Sequence, residues 1–256
     1  MPMPSLWLSA LPVLLAAAAL TWLVSVAKRN VTIVDTLWPL LFVFATAVYV
    51  GLQPLPAARA WLVLALVTLW GLRLAAYLAW RNAGHEEDRR YQAIRRRNEP
   101  NFALKSLWLI FGFQAVLAWV ISLPLAGAVA GDAALGWLDW FGVTLFAVGL
   151  YFESVGDLQL ARFKADPANT GRVMDRGLWR WTRHPNYFGD FCVWWGFYLL
   201  ALAAGAWWSV VGPAIMSVLL LRYSGVRLLE RDIGERRPAY AEYVRRTNAF
   251  FPGPRK

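Results

Sequence analysis

The chain has 256 residues, of which 59% are apolar and only 16% are charged. This balance excludes an ordinary soluble globular protein and indicates an integral membrane protein. The formal net charge is +10, but the basic residues lie in clusters between apolar runs, which argues against a nucleic-acid-binding protein. One cysteine, Cys192, cannot form an intrachain disulfide, and with only two histidines in the chain we predict no metal site.

Apolar runs follow one another along the chain, and each is long enough to cross a bilayer, which takes roughly 20 residues as a helix. We therefore predict an all-α bundle of seven transmembrane helices forming a single domain. The predicted spans are residues 6–27, 31–51, 58–80, 104–126, 135–161, 187–204 and 207–229. No Lys or Arg precedes the first run and no convincing cleavage site follows it, so we interpret it as a helix rather than a signal peptide.

Positive charge is distributed unevenly between the predicted spans. Lys and Arg concentrate after spans one, three, five and seven, whereas the opposite loops contain only Arg59. The positive-inside rule then predicts a cytoplasmic C-terminus and an N-terminus outside. The charged segments would therefore meet on the cytoplasmic side of the membrane.

A polar, basic stretch precedes the sixth predicted span; residues 177–190 read Gly-Leu-Trp-Arg-Trp-Thr-Arg-His-Pro-Asn-Tyr-Phe-Gly-Asp. Pro185 has a fixed φ and no N–H to lose, so it suits a first helical turn. The open N–H groups of that turn, with two arginines and a histidine just before it, are typical of a phosphate site. Asn186 and Asp190 share one helix face, and Gly189 leaves room there for a flat group. A segment that only holds lipid headgroups would not need this mixture.

Ionisable side chains occur within or at the edges of the predicted spans, where a charge costs about 2.5–3.5 kcal/mol at a helix centre. They are Asp35, Arg73, Glu153, Asp157 and Arg222. Arg73, Tyr77 and Arg81 repeat every four residues and so share one face of the third span. Asp35 and Trp38 share a face of the second span. These groups either line a polar cavity or pair with one another to hold the bundle together.

Three further segments are polar. The loop 85–91 alternates in charge sign, which fits either a binding loop or a solvated cytoplasmic one. Its candidate lids or ligands are Asp88, Arg90 and Tyr91. The segment 165–176 is rich in turn-forming residues and predicts an ordered loop. The tail 229–243 is amphipathic and predicts a helix on the membrane surface.

Residues 177–190 resemble the C-terminal domain of the steroid 5α-reductase family, in particular its bacterial multi-spanning branch. A Leu-Glu pair at 229–230 and two tyrosines of the tail extend the resemblance, and so do the Asp35/Trp38 pair and the region 73–91. The resemblance implies an NADPH-dependent oxidoreductase of a bacterial inner membrane. Residues 1–130 would receive the lipid substrate and residues 131–256 would bind the cofactor.

Carried onto this chain, the resemblance implies a set of cofactor contacts. Asn186 and Asp190 would hold the nicotinamide end of NADPH, whereas Asp157 and Lys164 would bind its adenosine-phosphate part. The other residues expected at the cofactor are Arg73, Tyr77, Arg81, Arg172, His184, Tyr187, Arg222 and Glu230. The chain has no Gly-rich βαβ unit, so the cofactor site is expected among membrane helices.

The implied reaction is the reduction of a C=C bond conjugated to a carbonyl, in a 3-oxo-Δ4 steroid or a similar enone lipid. Eukaryotic members polarise the ketone with a Gln-Glu pair on the second helix and a Tyr at the start of the third. Here the second helix offers Asp35, and Trp70 matches the Tyr position. We hypothesise that a protonated Asp35 donates to the ketone, because burial favours a neutral carboxyl group. The expected catalytic residues are Asp35 and Asp190, and the expected substrate contacts are Asp35, Trp38 and Trp70.

Two other functions fit the same motif. Isoprenylcysteine carboxyl methyltransferases carry a related Arg-His-Pro-x-Tyr and use S-adenosylmethionine, which has no phosphate and would not need the basic set of Arg73, Arg81, Lys164 and Arg172. A non-enzymatic membrane protein could keep the same fold to bind a sterol or another lipid. Membrane sterol C14- and Δ7-reductases carry a motif that is closer to this one and also use NADPH.

Overall fold

A computed structural model of the chain describes residues 3–223 and 239–255, and within these ranges it is helical with no strand. This confirms the predicted all-α class for the described part. The chain divides into two compact units, and each is described by itself. The first unit is Met1–Leu135 with Ala201–Ser209, and the second is Gly136–Leu200 with Val210–Lys256.

Six helices make up most of the first unit. They are α1 (Met3–Lys28), α2 (Ile33–Gly51), α3 (Ala58–Asn82), α4 (Arg89–Asn98), α5 (Phe102–Ile121) and α6 (Leu123–Ala130). α5 includes a π-helical segment, Leu107–Gly112. Within the unit, α2 packs against α1 and α3, and α1 also packs against α5.

Four helices make up the described part of the second unit. They are α7 (Trp137–Ala165), α8 (Pro185–Ala203), α9 (Val211–Val218) and α10 (Ala239–Arg246). A 3-10 turn, Trp207–Val210, precedes α9, and a π-helical turn, Leu219–Tyr223, follows it.

Five helices are long and apolar enough to cross a membrane, namely α1, α2, α3, α5 and α7, and each matches one of the first five predicted spans. The sixth predicted span is the helix α8, whose first turn is polar. The seventh corresponds to a shorter apolar helix, Trp207–Arg222, and its last residues lie outside the described part. The count of seven and the orientation of the termini remain predictions.

The fourth span is shorter at its C-terminal end than its hydropathy predicts. The expected helix 104–126 ends at Ile121, and a separate helix, α6, begins at Leu123 with Pro124 in its first turn. Proline cannot donate the N–H that a continuing helix needs, and its ring clashes with the preceding turn. The apolar run therefore breaks into two helices although its composition does not change.

Two tryptophans join α1 to α5 in the first unit. The rings of Trp7 and Trp119 stack with centroids 3.8 Å apart and planes 9° apart. Each indole N–H donates to the backbone carbonyl of the other residue, at 2.9 Å in both directions. Because the two bonds are reciprocal, the pair fixes the axial register of the two helices. Both indole donors are satisfied, as burial in an apolar bundle demands.

Glycines bring α7 and α8 into backbone contact in the second unit. On α7 the glycines recur every seven residues, about two turns, and so share one face; they are Gly142, Gly149 and Gly156. A Cβ added at Gly149 would lie 2.5 Å from the carbonyl oxygen of Gly189 and 2.7 Å from the backbone nitrogen of Val193. Gly196 of α8 contacts Gly142 in the same way. Small residues allow membrane helices to approach this closely.

We predict that Gly149→Ala destabilises the protein, because the added methyl group meets backbone atoms that cannot rotate away. The expected loss is about 1–3 kcal/mol, the usual cost of overpacking, seen as a lower midpoint of thermal unfolding in detergent. Gly51→Ala is the control, since a Cβ there meets nothing within 4 Å at the exposed end of α2. An equal loss in both variants would show that the backbone contact is unimportant.

Candidate functional site

The motif stretch folds into a 3-10 turn, Gly177–Arg180, followed by α8. α8 begins at Pro185, as the sequence predicts, since proline needs no N–H partner at that position. The indole N–H of Trp179 donates to the carbonyl of Gly156 on α7 at 3.0 Å, in a buried contact. This bond can form because Gly156 carries no side chain where the two segments meet. The start of α8 is thereby held against α7.

The side-chain amide of Asn186 is held at both ends. Its Nδ2 donates to Oδ1 of Asp157 at 3.2 Å, and its Oδ1 accepts from the N–H of Tyr187 at 3.1 Å. The first bond joins α8 to α7, so two of the predicted cofactor residues lie in direct contact. An NH₂ group has two donors, and the Asp157 bond uses one of them.

Two carboxylates of α7 lie buried beside this amide. Glu153 and Asp157 are one helical turn apart and only 3% and 5% exposed. The backbone of Glu153 packs directly on Gly189 of α8. Asp190, the next residue, has one carboxylate oxygen shielded from solvent. Burying carboxylates this deep in a helical bundle is costly, and such groups often mark a functional site.

The two other predicted cofactor residues of the motif form an aromatic pair. The rings of His184 and Tyr187 stack at 5.6 Å with planes 11° apart. His184 is buried at 4% exposure, and its backbone N–H donates to Oγ1 of Thr182 at 3.3 Å. The pair therefore fixes the Tyr187 ring against a buried imidazole at the start of α8.

The basic residues predicted to bind the phosphate part lie at the surface of the second unit. Lys164 is exposed near the C-terminal end of α7, Arg172 is exposed in the loop that follows, and Arg222 is exposed in the π-helical turn after α9. Glu230 lies outside the described residues. Arg183, which the sequence suggested as part of the anion site, has another role: it is only 7% exposed and bonds to the tail.

The C-terminal tail docks onto the motif stretch. Arg183 donates to the carbonyl oxygens of Thr247 at 2.6 Å and Val244 at 3.2 Å. The phenol of Tyr243 donates to the carbonyl of Trp179 at 2.5 Å, in a buried bond. Asp175 accepts from Arg246 at 2.6 Å and from Arg255 at 3.1 Å. Of the predicted surface helix over 229–243, only the residues from Ala239 onward are described, and its amphipathic pattern did not reveal these contacts.

A second group of polar residues lies in the first unit, around Asp35. Its Oδ1 accepts from the phenol of Tyr91 at 2.6 Å, and its Oδ2 accepts from Arg90 at 3.0 Å. Gln114 of α5 donates to the Tyr91 oxygen at 3.4 Å. Asp35 accepts the bond from this phenol, and the hypothesis that Asp35 donates to a substrate ketone stays a prediction. Burial and the neighbouring Asp35 charge raise the pKa of Tyr91, so the phenol keeps its proton.

The loop before α4 is anchored to the start of α2. The backbone N–H of Asp88 donates to Oγ1 of Thr32 at 2.9 Å, while its carboxylate accepts from Arg90. Glu87 accepts from the N–H of Val31 at 3.0 Å and forms two bonds with Arg95, at 2.7 and 2.8 Å. The charge alternation that suggested a solvated loop therefore reflects specific pairs.

The remaining predicted residues of the first unit lie on α2 and α3. Arg81 lies 5.9 Å from the ring centroid of Tyr77, and two nitrogens of the Arg73 guanidinium are buried. Phe42 connects the two predicted substrate residues, with ring centroids 5.2 Å from Trp38 and 5.9 Å from Trp70. Trp70 is fully buried, and its expected contact with a substrate stays a prediction.

The family model described as protein of unknown function DUF1295 matches residues 21–247. The chain belongs to this family. The DUF1295 family includes steroid 5α-reductase-like proteins. Among the described residues, no group of three or more His, Cys, Asp and Glu could hold a metal ion.

Two curated proteins are similar to this chain, one over most of its length and one over less than half. An uncharacterised protein of Schizosaccharomyces pombe is 29% identical over 267 residues, which span 90% of this chain and 75% of that protein. A probable O-methyltransferase of Ustilaginoidea virens is 32% identical over 111 residues, which span 43% of this chain and 34% of that protein. No solved structure matches the chain.

We predict that Tyr243→Phe loosens the tail and lowers the free energy of unfolding by about 1–2 kcal/mol, because the Trp179 carbonyl loses its buried donor. Chemical denaturation in detergent measures the loss. Tyr151→Phe is the matched control, since Tyr151 is 57% exposed. Equal stability of the two variants would contradict the role of the tail contact.

We predict that Glu87→Gln lowers stability at neutral pH by about 1 kcal/mol, the upper end for a pair near solvent, and that the loss disappears in acid. Burial alone would raise the pKa of Glu87, but bonds from Arg95 and Val31 and the Arg95 charge hold it below its usual 4.5. The stabilisation is therefore present above pH 4.5 and is lost as the pH falls through the lowered pKa. Melting curves between pH 3 and 7 test this, with the exposed neighbour Glu86→Gln as the control; a pH-independent loss would contradict it.

Proposed function

We propose that the protein is an NADPH-dependent membrane reductase that acts on a C=C bond conjugated to a carbonyl in a lipid such as a 3-oxo-Δ4 steroid. The observation that carries this proposal is the Asn186 amide, held by Asp157 beside buried carboxylates. In the proposed arrangement seven helices cross a bacterial inner membrane, with the N-terminus outside and the C-terminus in the cytoplasm.

The Asn186 amide and its surroundings fit the nicotinamide end of the cofactor. A primary amide can donate to and accept from the carboxamide of nicotinamide, and the bond to Asp157 sets its orientation before any ligand arrives. Tyr187, stacked on the buried His184 ring, would present the outer face of its own ring close by. Asp190 lies one helical turn after Asn186 on the same face of α8 and would help to orient the nicotinamide ring.

The buried carboxylates favour the proposed chemistry electrostatically. NADPH, when bound, would supply a hydride to the β-carbon of the enone, and the α-carbon would take a proton from solvent, which balances the reduction to the saturated ketone and NADP⁺. The nicotinamide ring is neutral before such a transfer and positive after it. Glu153 and Asp157, as carboxylates in a low-dielectric site, would stabilise the developing positive charge without having to reorganise.

The Tyr91–Asp35 pair is the proposed donor to the substrate carbonyl. The phenol has one O–H, which donates to Asp35 in this structure and would have to turn to the substrate carbonyl oxygen during the reaction. Its raised pKa keeps it neutral at physiological pH, so it could donate to an oxygen that gains negative charge. In this proposal Tyr91 is the direct donor and Asp35 holds the phenol until the substrate binds.

The argument for a cofactor that carries phosphate groups comes from exposed basic residues. Lys164, Arg172 and Arg222 are exposed cations of the second unit, suited to phosphate oxygens. The cofactor contacts expected of Arg73, Tyr77 and Arg81 stay predictions. NADPH carries three phosphate groups and so gives these cations a role.

An S-adenosylmethionine-dependent methyltransferase is the second candidate, and the similarity to a probable O-methyltransferase favours it. The buried carboxylates fit this cofactor as well, because its sulfonium is positive from the start. It has no phosphate, however, and so would not use the exposed cations as phosphate ligands. A protein that binds a sterol or another lipid without catalysis would use neither cofactor.

We predict that NADPH raises the thermal midpoint of the detergent-purified protein and that Asn186→Ala abolishes the shift. A ligand at 100 times its dissociation constant adds about 2.7 kcal/mol to the stability of the folded state. Asn101→Ala is the matched control, since Asn101 is exposed and its side chain forms no cap hydrogen bond. NADPH oxidation with an enone lipid then measures turnover in the same samples.

The outcomes separate the candidates. Stabilisation by S-adenosylmethionine and not by NADPH would overturn the reductase in favour of the methyltransferase. Stabilisation by neither, with a folded protein that still binds sterol, would favour the non-enzymatic function. An NADPH shift that survives Asn186→Ala but is lost in Arg73→Gln would move the cofactor away from the Asn186 amide.

A further inference from the structure

A cavity in the first unit is separate from every residue assigned to the proposed reaction. It has a volume of about 230 Å³ and lies between the C-terminal end of α1 and the start of α5. Its apolar lining includes Val26, Val31 and Ala103, and its cations are Arg29 and Arg95. Clefts that hold drug-sized ligands measure about 300–1,000 Å³, so this one suits a small charged group rather than a dinucleotide.

Contacts hold one of the two cations rigidly at the cavity. The Arg95 guanidinium lies 4.4 Å from the ring centroid of Phe102 and bonds to Glu87 at two positions. It also donates to the carbonyl oxygen of Arg29 at 3.4 Å. A guanidinium fixed in this way loses little entropy when it binds an anion.

Arg29 contributes the second cation from an unusual backbone conformation. Its φ is +49°, in the left-handed region that side chains other than glycine rarely adopt. This conformation ends α1 and directs the chain into α2 while the arginine side chain remains exposed. Glu87 balances one of the two arginines, so the cavity keeps a net positive charge.

Apolar surface continues from the cavity along both helices that border it. α1 and α5 are long and apolar enough to cross a membrane, and the cavity lies where each meets a basic loop. Large apolar side chains are exposed on the adjoining turns, among them Leu23 at 55%, Leu104 at 64% and Trp108 at 73%. A molecule that fits both features has an anionic head and apolar chains.

We propose that this cavity binds the phosphate headgroup of an anionic phospholipid, with its acyl chains along the exposed apolar surfaces of α1 and α5. Basic pockets between membrane helices are suited to such headgroups, and each cation near the membrane surface contributes on the order of a fivefold gain in affinity. A free phosphate would use the cations but would gain nothing from the apolar surface.

Native mass spectrometry of the delipidated full chain, titrated with phosphatidylglycerol, tests the proposal. We expect one tightly held lipid in the wild-type protein, roughly fivefold weaker binding in Arg29→Gln, and loss of that lipid in Ala103→Phe, which fills the cavity. Arg97→Gln removes the same charge from an exposed position of α4 and should bind within about twofold of wild type.

Three results would overturn the proposal. Equal weakening in Arg97→Gln and Arg29→Gln would mean that the lipid only responds to surface charge. Equal retention of phosphatidylcholine would remove the role of the anionic head. Competition by inorganic phosphate or glycerol phosphate at the concentration of the lipid would identify a soluble anion as the occupant. Thermal unfolding of each variant checks that it is folded. If Ala103→Phe does not fold, the comparison of Arg29→Gln with Arg97→Gln still tests the proposal.

Discussion

The direct backbone contact between α7 and α8 determines what the second unit can do. With Gly149 against Gly189, the two helix backbones lie closer than any side chain would allow. That closeness brings Asp157 of one helix within 3.2 Å of Asn186 of the other. It also encloses the carboxylates of α7, because little space remains for water between the helices. The polar site is thus a consequence of absent side chains.

Buried polar groups in each unit form hydrogen bonds or ion pairs with other residues of the same unit, which lowers the cost of burying them. In the second unit the tail supplies carbonyl oxygens to Arg183 and a phenol to the carbonyl of Trp179. In the first unit charges pair across elements, as Asp35 does with Arg90. These contacts reach across 55 or more residues of sequence. Each site therefore depends on segments that are remote in the chain, and a local change in the tail acts on the start of α8.

Local physics allowed the helices and the start of α8 to be predicted, whereas long-range pairing did not follow from the sequence. Hydropathy predicts α1 to α3 within a few residues because length and apolarity alone decide a membrane helix. Hydropathy does not predict the end of α5, because a single proline breaks the helix there although the apolar run continues. The motif located Asn186, but nothing local indicates that Tyr91 meets Asp35 or that Arg183 turns to the tail. The one available signal was the alternation of charge over 85–91, which also fits a solvated loop.

The buried carboxylates are compatible with both candidate cofactors, but they would act at a different stage of each reaction. Glu153 and Asp157 favour a positive ligand in either candidate, but at different moments. A sulfonium is positive on binding, so carboxylates would tighten the ground state and add little to the rate. A nicotinamide becomes positive only as hydride leaves, so the same carboxylates act on the transition state, where binding energy accelerates chemistry. A fixed buried charge is costly for folding and most useful when it acts selectively on the transition state, and this asymmetry is the electrostatic argument for the proposed hydride transfer.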